Sequence, residues 1–277
     1  MERVFRRAAA LALVAIFVAL AAAPARATPT ILYDGAVPGE TPADQGFGYQ
    51  TYPSPPDVRA TVAPVPGGTV LDTMGAAGDY AGFFTVPGSL PALSRTDGYT
   101  LTFTAQVFAE THELDSRAGF TALVLGDDRK GIELAFWPDE VWAQNDGAND
   151  PTAGQGLFTH GEGAPFDTTA RPVTYSVAVR GDRYMLLADG DLLLEGPLRR
   201  YRPGLGENPL ALSYYFGNAI FLGDNTSRAA ARVLLTGAAL ETAAAPPPPA
   251  PSPEPSPSPV SPVPAQTPQV YLPTLVL

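Results

Sequence analysis

Two tryptophans stand out because they are the only ones in the chain and lie five positions apart, at Trp137 and Trp142. The polar residues around them, Glu133, Gln144 and Asn145, carry carboxylate and amide groups that form hydrogen bonds. An indole face stacks on the apolar face of a sugar ring, while amides and carboxylates bind the hydroxyl groups. The spacing therefore predicts a carbohydrate-binding surface. The alternative is that the two indoles pack in a protein core or at its rim.

Strand parity predicts which of these side chains share a face. If Ile132, Leu134 and Phe136 point into a core, then Glu133 and Trp137 lie on the opposite face of the same strand. The same reasoning on the neighbouring segments puts four more side chains on outer faces: Gln106, Arg117, Trp142 and Gln144. We therefore expect these polar and aromatic side chains to be available to a ligand.

The elements that position these residues have a period of two. Residues 99–107 alternate between apolar and polar side chains, and residues 173–180 do the same, which is typical of half-buried antiparallel strands. Turn signals at Gly181-Asp182 and Asp189-Gly190 join the second segment to two further short strands. Other strands are predicted at 119–125, 131–137, 140–145, 210–216, 219–222 and 230–235. The pattern predicts an all-β fold, a sandwich of two antiparallel sheets.

The meander at 172–194 resembles the corresponding part of concanavalin A-like jelly rolls, the lectin/glucanase fold that includes laminin-G-like domains. Three stretches, at 117–120, 131–137 with 141–146, and 221–227, resemble the choice-of-anchor Y domain of exported bacterial proteins. The resemblance extends over residues 31–235 and implies an exported domain whose relatives differ in their C-terminal anchor. The jelly-roll resemblance implies ligand binding on the concave outer face of a sheet, and the choice-of-anchor Y resemblance brings no established activity.

The composition excludes several kinds of chemistry. The chain has no cysteine, which removes disulfides, zinc–thiolate sites, iron–sulfur ligation and thiol nucleophiles together. Its two histidines, His112 and His160, are too few for a three-histidine metal site. A formal net charge of −11 predicts that the protein does not bind nucleic acid.

Catalytic motifs are incomplete. Residues 113–115, Glu-Leu-Asp, begin like the paired-carboxylate motif of glycoside hydrolases with this fold, but no second glutamate follows in register. Glu133 also has no partner carboxylate on its own strand, and histidines beside Glu113 and Gly161 are typical of surface loops. We predict a non-enzymatic module that binds carbohydrate weakly. The alternatives are a structural or adhesive surface protein without a sugar ligand, and a glycoside hydrolase or lyase.

Aspartates at turns allow one metal prediction. Asp34 and Asp224 offer the oxygen ligands that Ca²⁺ prefers, although no stretch has EF-hand spacing. A single structural Ca²⁺ at one of them is the prediction, ordinary turn aspartates are the alternative, and no other cofactor is expected.

The two ends of the chain differ from the middle. Residues 1–27 combine arginines, an apolar run and Ala25-Arg26-Ala27, which predicts a signal peptide cleaved before Thr28. Residues 28–241 form the predicted sandwich, 242–269 a disordered proline-rich stalk, and 270–277 an apolar segment too short to span a membrane. The protein is therefore predicted to be secreted or at the cell surface, where its partner would be an extracellular glycan or a cell-wall polymer. No transmembrane span is expected in the mature chain.

Overall fold

The computed structural model describes residues 28–75, 78–145, 159–201 and 212–242, with the side chains of 212 and 213 excepted. The predicted signal peptide, almost all of the predicted stalk and the apolar C-terminal segment lie outside these residues. Within the described residues, no helix is long and apolar enough to cross a membrane.

The described residues form fifteen strands and two short helices. The strands are β1 (Thr30–Asp34), β2 (Phe47–Tyr52), β3 (Thr61–Val65), β4 (Gly68–Asp72), β5 (Tyr80–Thr85), β6 (Tyr99–His112), β7 (Thr121–Leu125), β8 (Gly131–Phe136), β9 (Glu140–Asn145), β10 (Thr159–Pro165), β11 (Val173–Arg180), β12 (Arg183–Ala188), β13 (Asp191–Pro197), β14 (Ala219–Asp224) and β15 (Ala229–Thr242). A 3₁₀ helix spans Pro42–Gln45 and the helix α1 spans Leu212–Tyr215.

The strands form two antiparallel sheets. An eight-stranded sheet has the order β13-β12-β11-β6-β15-β4-β3, with β1 also paired to β15. A seven-stranded sheet has the order β10-β9-β8-β7-β14-β5-β2. Every strand pair is antiparallel, so the predicted two-sheet sandwich is confirmed.

The core lies between the sheets because alternate side chains of both sheets point inward. On β6, Leu101 and Phe103 are buried while their polar neighbours are half-buried. Phe103 packs edge-on against Phe136 of the other sheet, with ring centroids 5.8 Å apart, and Phe136 packs against Tyr175 at 4.9 Å. Such aromatic pairs bury large apolar areas and favour edge-to-face contact. The alternation read from the sequence therefore marks the inner face of the sandwich.

Local turn chemistry explains the meander of β11, β12 and β13. Gly181 has a φ of 60°, and Asp189 and Gly190 have φ values of 50° and 93°, the left-handed conformations that tight hairpin turns require. The predicted hairpins are confirmed. The strand predicted at 210–216 is wrong, because its described part contains the helix Leu212–Tyr215.

The seven-stranded sheet is buried on both faces in its central strands. All residues of β7, β8 and β14 are buried. Its outer face packs Leu123, Leu125 and Phe221 against Tyr201 and Tyr214, two tyrosines that come from outside the sheet. The two tyrosines shield the outer-face side chains beneath them from solvent.

Candidate functional site

The two tryptophans lie side by side on the outer face of the seven-stranded sheet, as parity predicts. Trp142 is 0% exposed, and His160 stacks on its ring at 4.2 Å between centroids. Trp137 is half-buried, and His112 stacks on it at 4.1 Å with only 8° between the ring planes. The indoles meet at 5.4 Å. Trp142 therefore has no exposed ring face for a sugar, and the prediction that it stacks on a ligand is wrong.

Trp137 is also held in place by a polar contact. Its indole N–H donates to the backbone oxygen of Arg117 at 2.8 Å, which ties the end of β8 to the loop after β6. The Arg117 side chain is half-buried and donates to the backbone oxygen of Ser116 at 2.6 Å. These contacts fit a packed rim, the alternative that the sequence left open.

Glu133 lies on the outer face of the seven-stranded sheet, beneath the two tyrosines that cover it. Tyr214 donates its hydroxyl to the carboxylate at 2.5 Å, and the amide of Asn225 donates to the other oxygen at 2.8 Å. The backbone N–H of Glu133 donates to the Tyr201 hydroxyl at 2.8 Å. Burial raises the pKa of the Glu133 carboxyl, against the lowering effect of the bonds from Tyr214 and Asn225. Because the carboxylate is buried and bonded within the protein, its predicted role in binding sugar hydroxyls is wrong.

The predicted amide ligands are divided between the two sheets. Buried Gln144 donates to the backbone oxygen of Ser116 at 3.2 Å, and exposed Asn145 accepts from Arg199 at 2.9 Å. Gln106 lies on β6 in the other sheet and donates to the backbone oxygen of Thr169 at 2.6 Å. Gln106 therefore lies on the outer face of its own strand, as parity predicts, but in the other sheet from the tryptophans.

An ion pair that the sequence did not reveal joins the two sheets. The Arg199 guanidinium bonds to Glu162 on β10, to Asn145 on β9 and to the backbone oxygen of Pro197 at 3.1 Å. Tyr184, on the inner face of β12, donates to the same glutamate at 2.7 Å. Desolvation raises the pKa of Glu162, but the bonds from Arg199 and Tyr184 outweigh it and hold the pKa below its usual value.

Neither aspartate considered for calcium has the surroundings of a calcium ligand. Asp224 is buried, accepts from the Thr73 hydroxyl at 2.7 Å and from the Thr226 N–H at 3.1 Å, and has a pKa raised well above its usual value by burial. Asp34 accepts from the N–H of Ala36 at 2.9 Å, as turn aspartates do. Among the described residues no three His, Cys, Asp or Glu side chains are grouped to hold a metal ion. The described residues therefore do not fit a Ca²⁺ ion at either position.

A pocket lies beside the part of the sheet that Tyr201 and Tyr214 cover, toward the β2 edge of the same sheet. It has a volume of about 110 Å³ and is formed by β2, β5, the start of β14 and the loop that follows α1. Its lining residues are Gln50, Phe84, Thr85, Pro87, Phe216, Gly217, Asn218, Ala219 and Ile220. Phe216 is 49% exposed, so part of its aromatic ring is open to solvent.

Two local features shape this pocket. Phe84 lies over Gly48 of the edge strand, where any Cβ would collide with the ring. Asn218 has a φ of 57°, and its side-chain oxygen accepts from the N–H of Leu93 at 2.8 Å, which fixes the loop. Because the lining residues are far apart in the sequence, no local motif indicated the pocket. The only local hint in the sequence was Phe216, which the turn residues Gly217 and Asn218 follow directly.

Comparisons with known proteins concern the fold. No protein-family model matches the chain, and no curated protein matches it significantly in sequence. The carbohydrate esterase vb_24B_21 from the Shiga toxin-encoding bacteriophage phi24B matches in shape with a TM-score of 0.51, at 14% identity, over 78% of this chain and 99% of its own. The exoplasmic/lumenal domain of VIP36 in its Ca²⁺/Man2-bound form has a TM-score of 0.45, at 10% identity, over 79% and 90%.

The architecture is that of a concanavalin A-like jelly-roll β-sandwich, with two antiparallel sheets and almost no helix among the described residues. That part of the predicted resemblance is confirmed. The resemblance to the choice-of-anchor Y domain has no matching family model and stays a prediction.

Proposed function

We propose that this protein is an exported, non-enzymatic module that binds carbohydrate in the pocket beside Phe216. The observation that carries the proposal is the pocket itself, which combines an exposed aromatic ring with the amides of Gln50 and Asn218. Carbohydrate sites need an aromatic or apolar surface for the ring and a few oriented polar groups for the hydroxyls. The proposal keeps the sheet face predicted from the sequence and moves the site away from Trp142 and Glu133.

The described groups support binding more than catalysis. Hydrolysis of a glycosidic bond needs two carboxylates at the scissile bond. Glu133 is bonded to tyrosine and amide groups, and Glu162 is bonded to Arg199 and Tyr184. Glu113 forms an exposed ion pair with Arg228 at 2.9 Å. None of these carboxylates lines the pocket.

Export is proposed from the sequence of the N-terminal 27 residues, and the proline-rich C-terminal segment suits a spacer at the cell surface. In this arrangement the ligand is an extracellular glycan or a cell-wall polymer. Because the chain is acidic, with a net charge of −11, a neutral polymer is favoured over an anionic one.

A glycan array, followed by calorimetric titration with the best ligand, tests the proposal on the full chain. Phe216→Ala should weaken binding at least about tenfold, equivalent to about 1.4 kcal/mol, because the ring loses its stacking surface. The matched control is Phe108→Ala, which removes an aromatic ring that is 45% exposed on the other sheet. Absence of binding to any glycan or cell-wall polymer, or equal losses in both variants, would refute the proposal.

An adhesive role remains the second candidate because of one surface. On β12 and β13 of the eight-stranded sheet, the apolar side chains of Met185 and Leu192 are 46% and 59% exposed. Leu192 pairs with Leu187, two positions along β12 from Met185, and neighbouring exposed apolar side chains favour protein contacts. Loss of attachment to cells after Met185→Ser and Leu192→Ser, with glycan binding unchanged, would support this role.

A further inference from the structure

The size of the pocket beside Phe216 limits what enters it. A volume of about 110 Å³ is smaller than the roughly 150 Å³ of an apolar cavity that holds a single benzene ring. A whole sugar ring does not fit in that space, but a substituent of about four heavy atoms does. The ring would then lie outside, against the exposed face of Phe216.

The lining of the pocket selects the chemistry of that substituent. Phe84, Pro87 and Ala219 form apolar walls, against which a hydroxyl or charged group would lose its hydrogen bonds to water. A methyl group gains free energy there, by roughly 25 cal/mol for each Å² that is buried. The inner part of the pocket therefore favours a methyl group.

The rim of the pocket carries carboxamide groups. Gln50 and Asn218 both carry carboxamides, and the bond from the Leu93 N–H to the Asn218 side-chain oxygen orients that carboxamide. Its nitrogen then serves as a donor to a ligand carbonyl. A substituent that carries both a methyl group and an amide satisfies the walls and the rim together.

We propose that this pocket binds the acetamido group of an N-acetylated amino sugar, with the sugar ring packed on Phe216. The inference rests on the proposed carbohydrate-binding function and specifies its ligand class. An acetamido group has four heavy atoms, is uncharged and ends in a methyl group. A free amine at the same position would place a charge against the apolar walls.

The test is calorimetric titration of the full chain with an oligomer of N-acetylglucosamine, compared with glucose and glucosamine oligomers of the same length and linkage. The acetylated oligomer should bind at least about tenfold more tightly than either comparison ligand. Ala219→Leu, which fills the pocket from its wall, should remove this preference. Ala219 is buried, so a larger side chain at this position also strains its surroundings. A second variant, Phe216→Ala, changes an exposed side chain and should weaken binding of the acetylated oligomer.

The outcomes separate the two levels of the proposal. Equal affinity for the acetylated and glucose oligomers, weakened by Phe216→Ala, overturns the acetamido assignment and leaves carbohydrate binding intact. A preference for the acetylated oligomer that survives both variants overturns the pocket as its site. Binding of no oligomer and no array glycan overturns the proposed function together with this inference.

Discussion

Removal of the Arg199 side chain tests how much its ion pair with Glu162 stabilises the folded protein. Arg199 is only 7% exposed and contacts Glu162, Asn145 and the backbone of Pro197. In Arg199→Leu, the Glu162 carboxylate keeps the bond from Tyr184 and loses its cation. A carboxylate left without its partner in a partly buried site is costly.

The expected loss follows from the burial of the pair. Breaking a buried ion pair by removing one partner costs about 3–5 kcal/mol. Because Glu162 remains 29% exposed, water compensates part of the loss, and we expect about 3 kcal/mol. For a domain of this size, about 1 kcal/mol lowers the melting temperature by roughly 2–4 °C, so Tm should fall by about 6–12 °C.

Thermal melts followed by circular dichroism measure this loss. The matched control is Arg228→Leu, because Arg228 and Glu113 also form an arginine–glutamate ion pair but are well exposed, and its loss should change Tm little. The double variant Arg199→Leu with Glu162→Gln should recover part of the stability, since no uncompensated carboxylate remains. A Tm decrease below about 2 °C for Arg199→Leu would refute the reasoning.

Three further predictions concern the buried Trp142, two carboxyls with raised pKa, and calcium. Trp142→Ala should destabilise the fold by about 3–5 kcal/mol, measured by urea unfolding, and a change near zero would contradict its placement as a buried side chain. Burial raises the pKa of Glu133 and Asp224, so the folded state holds their protons at a pH where the unfolded chain has lost them. The free energy of unfolding should therefore fall as pH rises above about 5, where the carboxyls of the unfolded chain have ionised, and Asp224→Asn should flatten this slope; stability that rises with pH there would contradict the prediction. The acidic groups with lowered pKa, such as Glu162, lose their stabilising effect only at lower pH. A calcium chelator should leave Tm unchanged, and a clear decrease would reveal a calcium site outside the contacts described for Asp34 and Asp224.

The fold could be predicted from the sequence because its signals are local. Alternation along residues 99–107 marks the inner and outer faces of β6, and Asp189-Gly190 specifies the turn between β12 and β13 through backbone conformation alone. The helix at 212–215 was missed because four residues are too few to show a helical period.

The face on which each candidate side chain lies could be predicted from the sequence, but its burial could not. Parity correctly put Glu133, Trp137 and Trp142 on the outer face of the seven-stranded sheet, but parity does not tell whether another layer covers that face. The cover comes from Tyr214, which reaches Glu133 across 81 positions in the sequence. One local signal was present, since residues 131–136 are apolar on both faces except for Glu133, a pattern typical of strands buried on both sides.

The central claim is that the pocket beside Phe216 binds carbohydrate. Amide chemical-shift mapping of the isotope-labelled full chain, titrated with the tightest glycan from the array, tests it most directly. Saturable shifts are expected at Phe84, Thr85, Gly217, Asn218 and Ala219, with residues such as Thr102 on the other sheet unchanged. Shifts confined to the other sheet, or no shifts at saturating ligand, would contradict it.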